Sequence, residues 1–373
     1  MDYRPGSKSL LVQVLRQPEQ MTSLDLADWD LLVRQARSAR LLGRLGCQAE
    51  QLGLMDRIAQ PVRPHLQAAI RVAEKHRSTM QWEIQQVRRV LAPVCQRIVL
   101  LKGAAYVAGQ LPPALGRLFS DLDILVPKAE LAQVEQTLLS AGWQPIKLHP
   151  YDQRYYRAWM HELPPLEHRT RHTTLDVHHS ILPETGRLHP DPQLLLADAR
   201  PLPEKPLYLL SPADMLLHSA AHLFQDGEIG GALRDLVDMA DLLRHFDADP
   251  QFWWSLLARA RQLELARPLW YALAHLRWCF PPQKPDLPAL VPADVFRQAR
   301  ADQPPWPIRT LMHFLIRRAI QPELPEQTTW LGQTARWLLY VRSHWLRMPP
   351  RLLASHLVHK ALRRWRQEEE PTP

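Results

Sequence analysis

Thirty-five of the 373 residues are proline, against 13 glycines, and proline is tolerated only at the ends of helices, on edge strands and in connections. Every regular element must therefore fit between prolines, which does not suit a regular repeat solenoid. The prolines also cluster: seven fall in residues 183–212 and eight in 281–307, and both stretches read as connections. With 46% hydrophobic residues the chain is globular, and its length allows about two to three domains of roughly 100–200 residues.

Only three cysteines occur, Cys47, Cys95 and Cys279. Their wide separation excludes a disulfide framework and a four-thiolate zinc site, and fits a reducing compartment. The apolar patch Leu10–Leu15 is broken by Gln13 and is too short for a secretory signal, and no run approaches the roughly 20 apolar residues of a spanning helix. A cytoplasmic protein is expected.

The formal charge of +8 is unevenly spread. Residues 301–367 hold ten Arg and one Lys against Asp302, Glu323 and Glu326, an excess equal to that of the whole chain, before Glu368–Glu370 offset part of it. The basicity belongs to the C-terminal segment, so nucleic acid is not an expected partner of the protein as a whole.

The apolar pattern divides the chain further. Trp29, Leu32, Val33 and Ala36 share one helical face behind a cap at Asp25, and Leu66, Ile70, Ala73, Met80, Ile84, Val87 and Leu91 continue at helical spacing up to Pro93,. Arg77 interrupts that seam and either snorkels to solvent or faces a ligand. At Arg97 the texture changes to strand, turn and helix: Ile98–Leu101, Lys102-Gly103, the small residues Ala104–Ala108, a strand from Ser120 to Val126, a helix through Leu131, Val134 and Leu138, and a later strand Thr173–His178,. Ser211-Pro212-Ala213-Asp214 has the form of a helix start, and helical patterns follow over Met215–Phe224, Gly231–Phe246 and Phe252–Trp278. The expected class is α+β: a small mixed β-sheet core over residues 96–200, flanked by an N-terminal helical region (1–95), a helical domain (201–300) and a basic, Trp-rich helical segment (301–373).

Residues two apart on a strand point to one side, so Asp121 and Asp123 project together while Leu122 and Ile124 face apolar packing. Paired carboxylates repel unless a cation lies between them, and hard oxygen donors suit Mg²⁺. Two solvated acids on an exposed strand would give the same spacing. The neighbourhood favours a site: Lys102-Gly103 ends an apolar strand, a helix follows, and a third acid, Asp176, lies on the later strand. Gly103 permits close backbone approach to phosphate.

Leu100–Ala105, Arg117–Val126 and Leu175–His178 resemble the three signatures of the uncharacterised nucleotidyltransferase family found in bacteria, a branch of the DNA polymerase β-like superfamily. Pro212–His218 with His222, and Leu233–Ala240, are similar to its helical section, so the resemblance covers roughly residues 20–280. It implies a nucleotidyltransferase in which Asp121, Asp123 and Asp176 hold two Mg²⁺ ions. One would activate an acceptor hydroxyl and one grip the triphosphate, with Asp176 completing the first ion's shell or taking the proton. The acceptor hydroxyl would attack the α-phosphorus of a nucleoside triphosphate and release pyrophosphate. The superfamily usually has Gly-Gly or Gly-Ser at the turn. Gly103-Ala104 lacks that serine, a loss for which Lys102 would compensate, and the gap from Gly103 to Asp121 is long for the superfamily, although it suits the branch.

Around this core, Lys102 either neutralises triphosphate or ends a strand in solvent. Arg117 pairs with phosphates or with the acids, Ser120 caps the strand start or joins the nucleotide contacts, and His178, on the face of Asp176, touches substrate or orients that acid. A zinc site from His172, His178 and His179 competes weakly, lacking an H-E-x-x-H or a Cys pair. His218 and His222 stand one helical turn apart, and Asp235 and Asp238 read as surface or cap acids. No G-x-S-x-G, G-x-G-x-x-G or Walker A spacing occurs,. In the tail, Trp330, Trp337 and Trp345 interleave with Arg336, Arg342, Arg347 and Arg351. They either complete a core among solvated arginines or meet an acidic partner or membrane surface. The leading function is transfer of a nucleoside monophosphate to a small-molecule, sugar or protein hydroxyl. A nucleotide-binding scaffold without turnover is the alternative, and RNA nucleotide addition a third.

Overall fold

The computed structural model describes residues 9–146, 156, 159–225, 231–281, 289–322, 324, 329–349, 351 and 353. Four helices open it: α1 (Leu10–Arg16), α2 (Leu26–Ser38), α3 (Leu42–Gln51) and α4 (Arg63–Leu91). Asp25 caps α2 as its spacing suggests, its carboxylate accepting from the Asp28 amide at 2.8 Å. Trp29, Leu32, Val33 and Ala36 are buried, as is the α4 seam except at Arg77, which is exposed.

Seven strands of the described residues then form one mixed sheet in the order β3-β4-β5-β2-β1-β7-β6. They are β1 (Ile98–Leu100), β2 (Asp121–Leu125), β3 (Trp143–Pro145), β4 (Leu166–His168), β5 (Thr174–His178), β6 (Arg200–Pro201) and β7 (Leu207–Leu209). The central β2 runs parallel to β5 and antiparallel to β1, and β1 runs parallel to β7. Helices α5 (Lys102–Ala108) and α6 (Leu131–Ser140) follow β1 and β2. Pro145 and Pro201 sit in the two edge strands, where a missing N–H breaks no central ladder.

The 183–212 stretch is more than a connection: it contributes α7 (Pro192–Ala197), β6 and β7, so the sheet continues through Leu209. Proline allows this because Pro192 and Pro212 start helices and Pro201 lies at the sheet edge,. The helical section comprises α8 (Pro212–Gln225), α9 (Ala232–Phe246), α10 (Phe252–Gln262) and α11 (Ala266–Cys279). The single pattern expected over Phe252–Trp278 is two helices, broken at 263–265, where Glu264 is left-handed (φ 60°). Short α12 (Ala293–Ala299) and two longer helices, α13 (Ile308–Ile320) and α14 (Trp330–Arg347), complete the described chain.

One contiguous apolar core runs from Leu11 to Leu339. Buried ion pairs cross it: Arg44 on α3 meets Asp241 on α9 at 2.7 Å, and Arg259 on α10 holds the fully buried Asp214 of α8 at 2.7 and 3.0 Å. On α14 the tail expectation inverts. Leu339 and Ala335 face inward and Arg342 reaches in to donate to the Phe224 carbonyl at 2.7 Å, while Trp330, Trp337 and Trp345 are exposed. All three cysteines are buried, and among the described residues no helix is long and apolar enough to cross a membrane.

Candidate active site

Strand alternation and register bring the three acids together. Leu122 and Ile124 are fully buried, which turns Asp121 and Asp123 to the opposite face of β2, and the parallel pairing sets Asp123 directly across from Asp176 on β5,. One carboxylate oxygen from each of Asp121, Asp123 and Asp176 lies within 4.8 Å of the others. Asp123 is buried; Asp121 and Asp176 are partly open.

Two side chains serve Asp123. Lys102 donates from Nζ to Oδ1 at 2.9 Å, and His178 Nε2 stands 3.2 Å from the same oxygen. Lys102 does so from the left-handed region (φ 43°), costing roughly 1 kcal/mol for a residue with a Cβ,. Burial alone would raise the Asp123 carboxyl, but Lys102 and His178 overcome it and hold Asp123 well below the usual carboxylate range,. Burial would likewise lower the His178 imidazole, yet Glu162 and Asp123 raise it. Asp176 goes the other way. Burial, then the neighbouring charges of Asp123 and Glu162, push its carboxyl up to about 7. Its Oδ1 is buried and makes no hydrogen bond to a described residue. Three hard oxygen donors, one of them orphaned, fit a divalent cation such as Mg²⁺.

The other expected residues are distributed differently. Ser120 donates to Asp121 Oδ1 at 2.9 Å and so orients the outermost acid. Gly103 is buried, and a Cβ there would lie 2.8 Å from Phe119 Cδ1, so packing against the Phe119 ring accounts for the glycine. Phe119 is itself fixed by His76 on α4, whose Nδ1 lies 2.9 Å from its carbonyl oxygen. Arg117 is ion-paired with Asp238 on α9 and lies over the Tyr106 ring at 5.4 Å. The loop before it is pinned where Gly116 (φ 67°) touches Gly43 of α3 so closely that a Cβ would come within 2.4 Å of the Gly43 backbone. Asp238 is therefore buried, not a surface acid, and Asp235 is half-buried beside Arg234 at 2.9 Å. The chain thus ties the β2 approach to the helical section with charge pairs that local spacing does not reveal.

His218 is buried on α8, and burial followed by the nearby positive charges of Lys102 and His222 lowers its imidazole well below the ordinary value. The weakly competing His172–His178–His179 trio is not assembled. His172 is exposed and pairs with Glu167 at 2.7 Å, and His179 turns toward Glu184 at 3.7 Å. Arg77 lines a separate cleft of about 640 Å³ with Arg44, Glu74 and Gln110, and no triad acid lines it.

A profile of the family described as uncharacterised nucleotidyltransferase matches residues 25–281, more than half of the chain and all three acids. The chain belongs to the uncharacterised nucleotidyltransferase family. No curated protein and no solved structure matches it. The nucleotidyltransferase match begins at the Asp25 cap of α2 and ends just past α11, so the family unit includes the α9 partners of Arg44 and Arg117 as well as the sheet, and leaves α12–α14 outside.

Proposed function

We propose that this nucleotidyltransferase is Mg²⁺-dependent and moves a nucleoside monophosphate from a nucleoside triphosphate to a hydroxyl of a small-molecule, sugar or protein acceptor. The observation that carries this is the convergence of Asp121, Asp123 and Asp176, with Asp176 Oδ1 buried and without a hydrogen bond to a described residue. The three carboxylates would hold the ion, which when bound screens the triphosphate and acidifies the acceptor hydroxyl. Lys102, already at Asp123, is the chain's own positive charge for phosphate oxygens. His178 keeps Asp123 oriented from the buried side. Asp176 would complete the ion's shell or take the hydroxyl proton as the new O–P bond forms at the α-phosphorus and the bond to pyrophosphate breaks.

A thermal-shift screen of the four nucleoside triphosphates with and without Mg²⁺ tests the reading. One or more should stabilise the wild type only with Mg²⁺, and Asp121→Asn should remove the effect without unfolding the protein. Equal stabilisation of both proteins contradicts it. The second reading, nucleotide binding without turnover, is favoured by Asp123 Oδ1 being shared between Lys102 Nζ and His178 Nε2. Pyrophosphate release with any acceptor excludes it.

For the tail we favour an anionic lipid surface, because the exposed Trp330, Trp337 and Trp345 of α14 share a helix that carries Arg336, Arg347 and the inward-reaching Arg342 and no acidic residue,. Sedimentation with anionic but not neutral vesicles, weakened in Trp337→Ala, is the expected result; equal sedimentation with both, or none, contradicts it.

A further inference from the structure

Behind the triad lies a second cluster, of which only His178 bears on the transfer reaction, through Asp123. His161, Glu162 and His178 each offer a donor atom within 4.8 Å of the others, and the two imidazole rings are 5.3 Å apart. The cluster stands on fixed backbone. Glu162 bridges to His178, the Leu163 amide donates to the Val177 carbonyl at 2.9 Å, and the His179 amide donates to the His161 carbonyl at 2.8 Å. Residues 161–163 therefore form an added rung along the end of β5. Both histidines are buried, and the Glu162 side chain is 16% exposed.

The orientation of the His178 ring is set from the other side: Nε2 lies 3.2 Å from Asp123 Oδ1, which leaves Nδ1 as the nitrogen turned toward Glu162,. That Nδ1 is buried with Glu162 Oε2 3.1 Å away and no hydrogen bond satisfying it. A carboxylate behind one ring nitrogen with the other turned to two further donors is the arrangement that fixes a metal-bound imidazole. Two imidazoles and one carboxylate are borderline donors that suit Zn²⁺ far better than Mg²⁺. Tetrahedral zinc, with bonds of about 2.0–2.2 Å, needs donors about 3.3–3.5 Å apart; here they lie within 4.8 Å of one another, with His178 Nδ1 and Glu162 Oε2 at 3.1 Å.

We propose that His161, Glu162 and His178 form a second metal site, for a zinc-class divalent cation, joined to the triad through the His178–Asp123 hydrogen bond. The site has three protein ligands and one open position, and its occupancy fixes the ring that orients Asp123. It does not depend on the transfer reaction.

The test is a Co²⁺ titration of the metal-stripped full chain, followed by visible absorption. With excess Mg²⁺ present to occupy the triad, one Co²⁺ per chain should bind with the ligand-field bands of a four-coordinate ion, displaced by Zn²⁺ and not by more Mg²⁺. His161→Ala and the near-isosteric Glu162→Gln should each weaken binding by at least the roughly 10- to 100-fold seen on losing a partner behind a ligand, with far-ultraviolet circular dichroism reporting the fold. Should His161→Ala unfold, Glu162→Gln decides alone. Asp121→Asn, which alters only the triad, should retain the bands. Absence of the bands, their persistence in Glu162→Gln, their loss in Asp121→Asn or their displacement by Mg²⁺ would overturn the proposal.

Discussion

Asp176 shows how a single carboxyl carries the electrostatic state of the site. Its folded value of about 7 lies above its unfolded value of 3.8, so the folded protein binds the extra proton between the two. The stability this contributes is complete below the unfolded value and is lost as pH rises through about 7. A divalent cation replaces that proton, so Mg²⁺ should raise the melting temperature more at about pH 8 than at about pH 5.5, on either side of the shifted value. A Mg²⁺ effect equal at both, measured by thermal melts, contradicts this. Lys102 separates strain from function: Lys102→Gly should be roughly 1 kcal/mol more stable than Lys102→Ala, because only glycine occupies φ 43° without cost,. Both variants should lose triphosphate-dependent stabilisation, and denaturant melts with and without nucleotide check the pair. At this scale the shared facing of Asp121 and Asp123 was legible because strand alternation fixes it from local spacing alone, whereas Asp176 was legible only as an acid on a later strand and through the family resemblance. The partners of Arg117 and His178 were not. Asp238 and Glu162 lie on segments that only the tertiary fold brings near, and nothing in their own sequence surroundings marks them.

Helices show the same division. The α8 start was readable, since Ser211 accepts from the Asp214 amide at 3.2 Å in the expected cap. The Asp214–Arg259 pair beneath it was not, because it joins two helices far apart in sequence. Asp214→Ala leaves Arg259 buried without its main counter-charge and should cost about 3–5 kcal/mol in urea melts,. A cost near zero would mean that Arg259 is served by Asp198 and the Leu194 carbonyl alone. On α14, Trp and Arg interleave so closely that periodicity leaves the inward face open, and the structure decides it in favour of Leu339. Leu339→Ala should therefore cost about 2–5 kcal/mol, whereas Trp337→Ala should change stability by less than about 0.5 kcal/mol. The reverse order in paired melts would place the tryptophans in the core.

At the level of the molecule, the prolines divide the chain without dividing its core. The 183–212 stretch reads as a connection from composition, yet it supplies strands at the far side of the sheet because its prolines fall at helix starts and an edge. The shared core also sets the acid limit of the whole protein. His275 is fully buried, and burial, followed by His313 and Arg317, lowers its imidazole to about 3. The unfolded chain takes up that proton first, so stability falls as pH drops from about 6.5 toward 3. His275→Gln should flatten this limb of a pH series of melts, and an unchanged slope would contradict the assignment. In the function we propose, three aspartates on two parallel strands hold a cation for a triphosphate. The most direct test of this reading is calorimetric titration of each nucleoside triphosphate into wild type and Asp121→Asn, with and without Mg²⁺. Binding that requires both Mg²⁺ and Asp121 is the predicted result; binding indifferent to either, or none with any nucleotide, would contradict it.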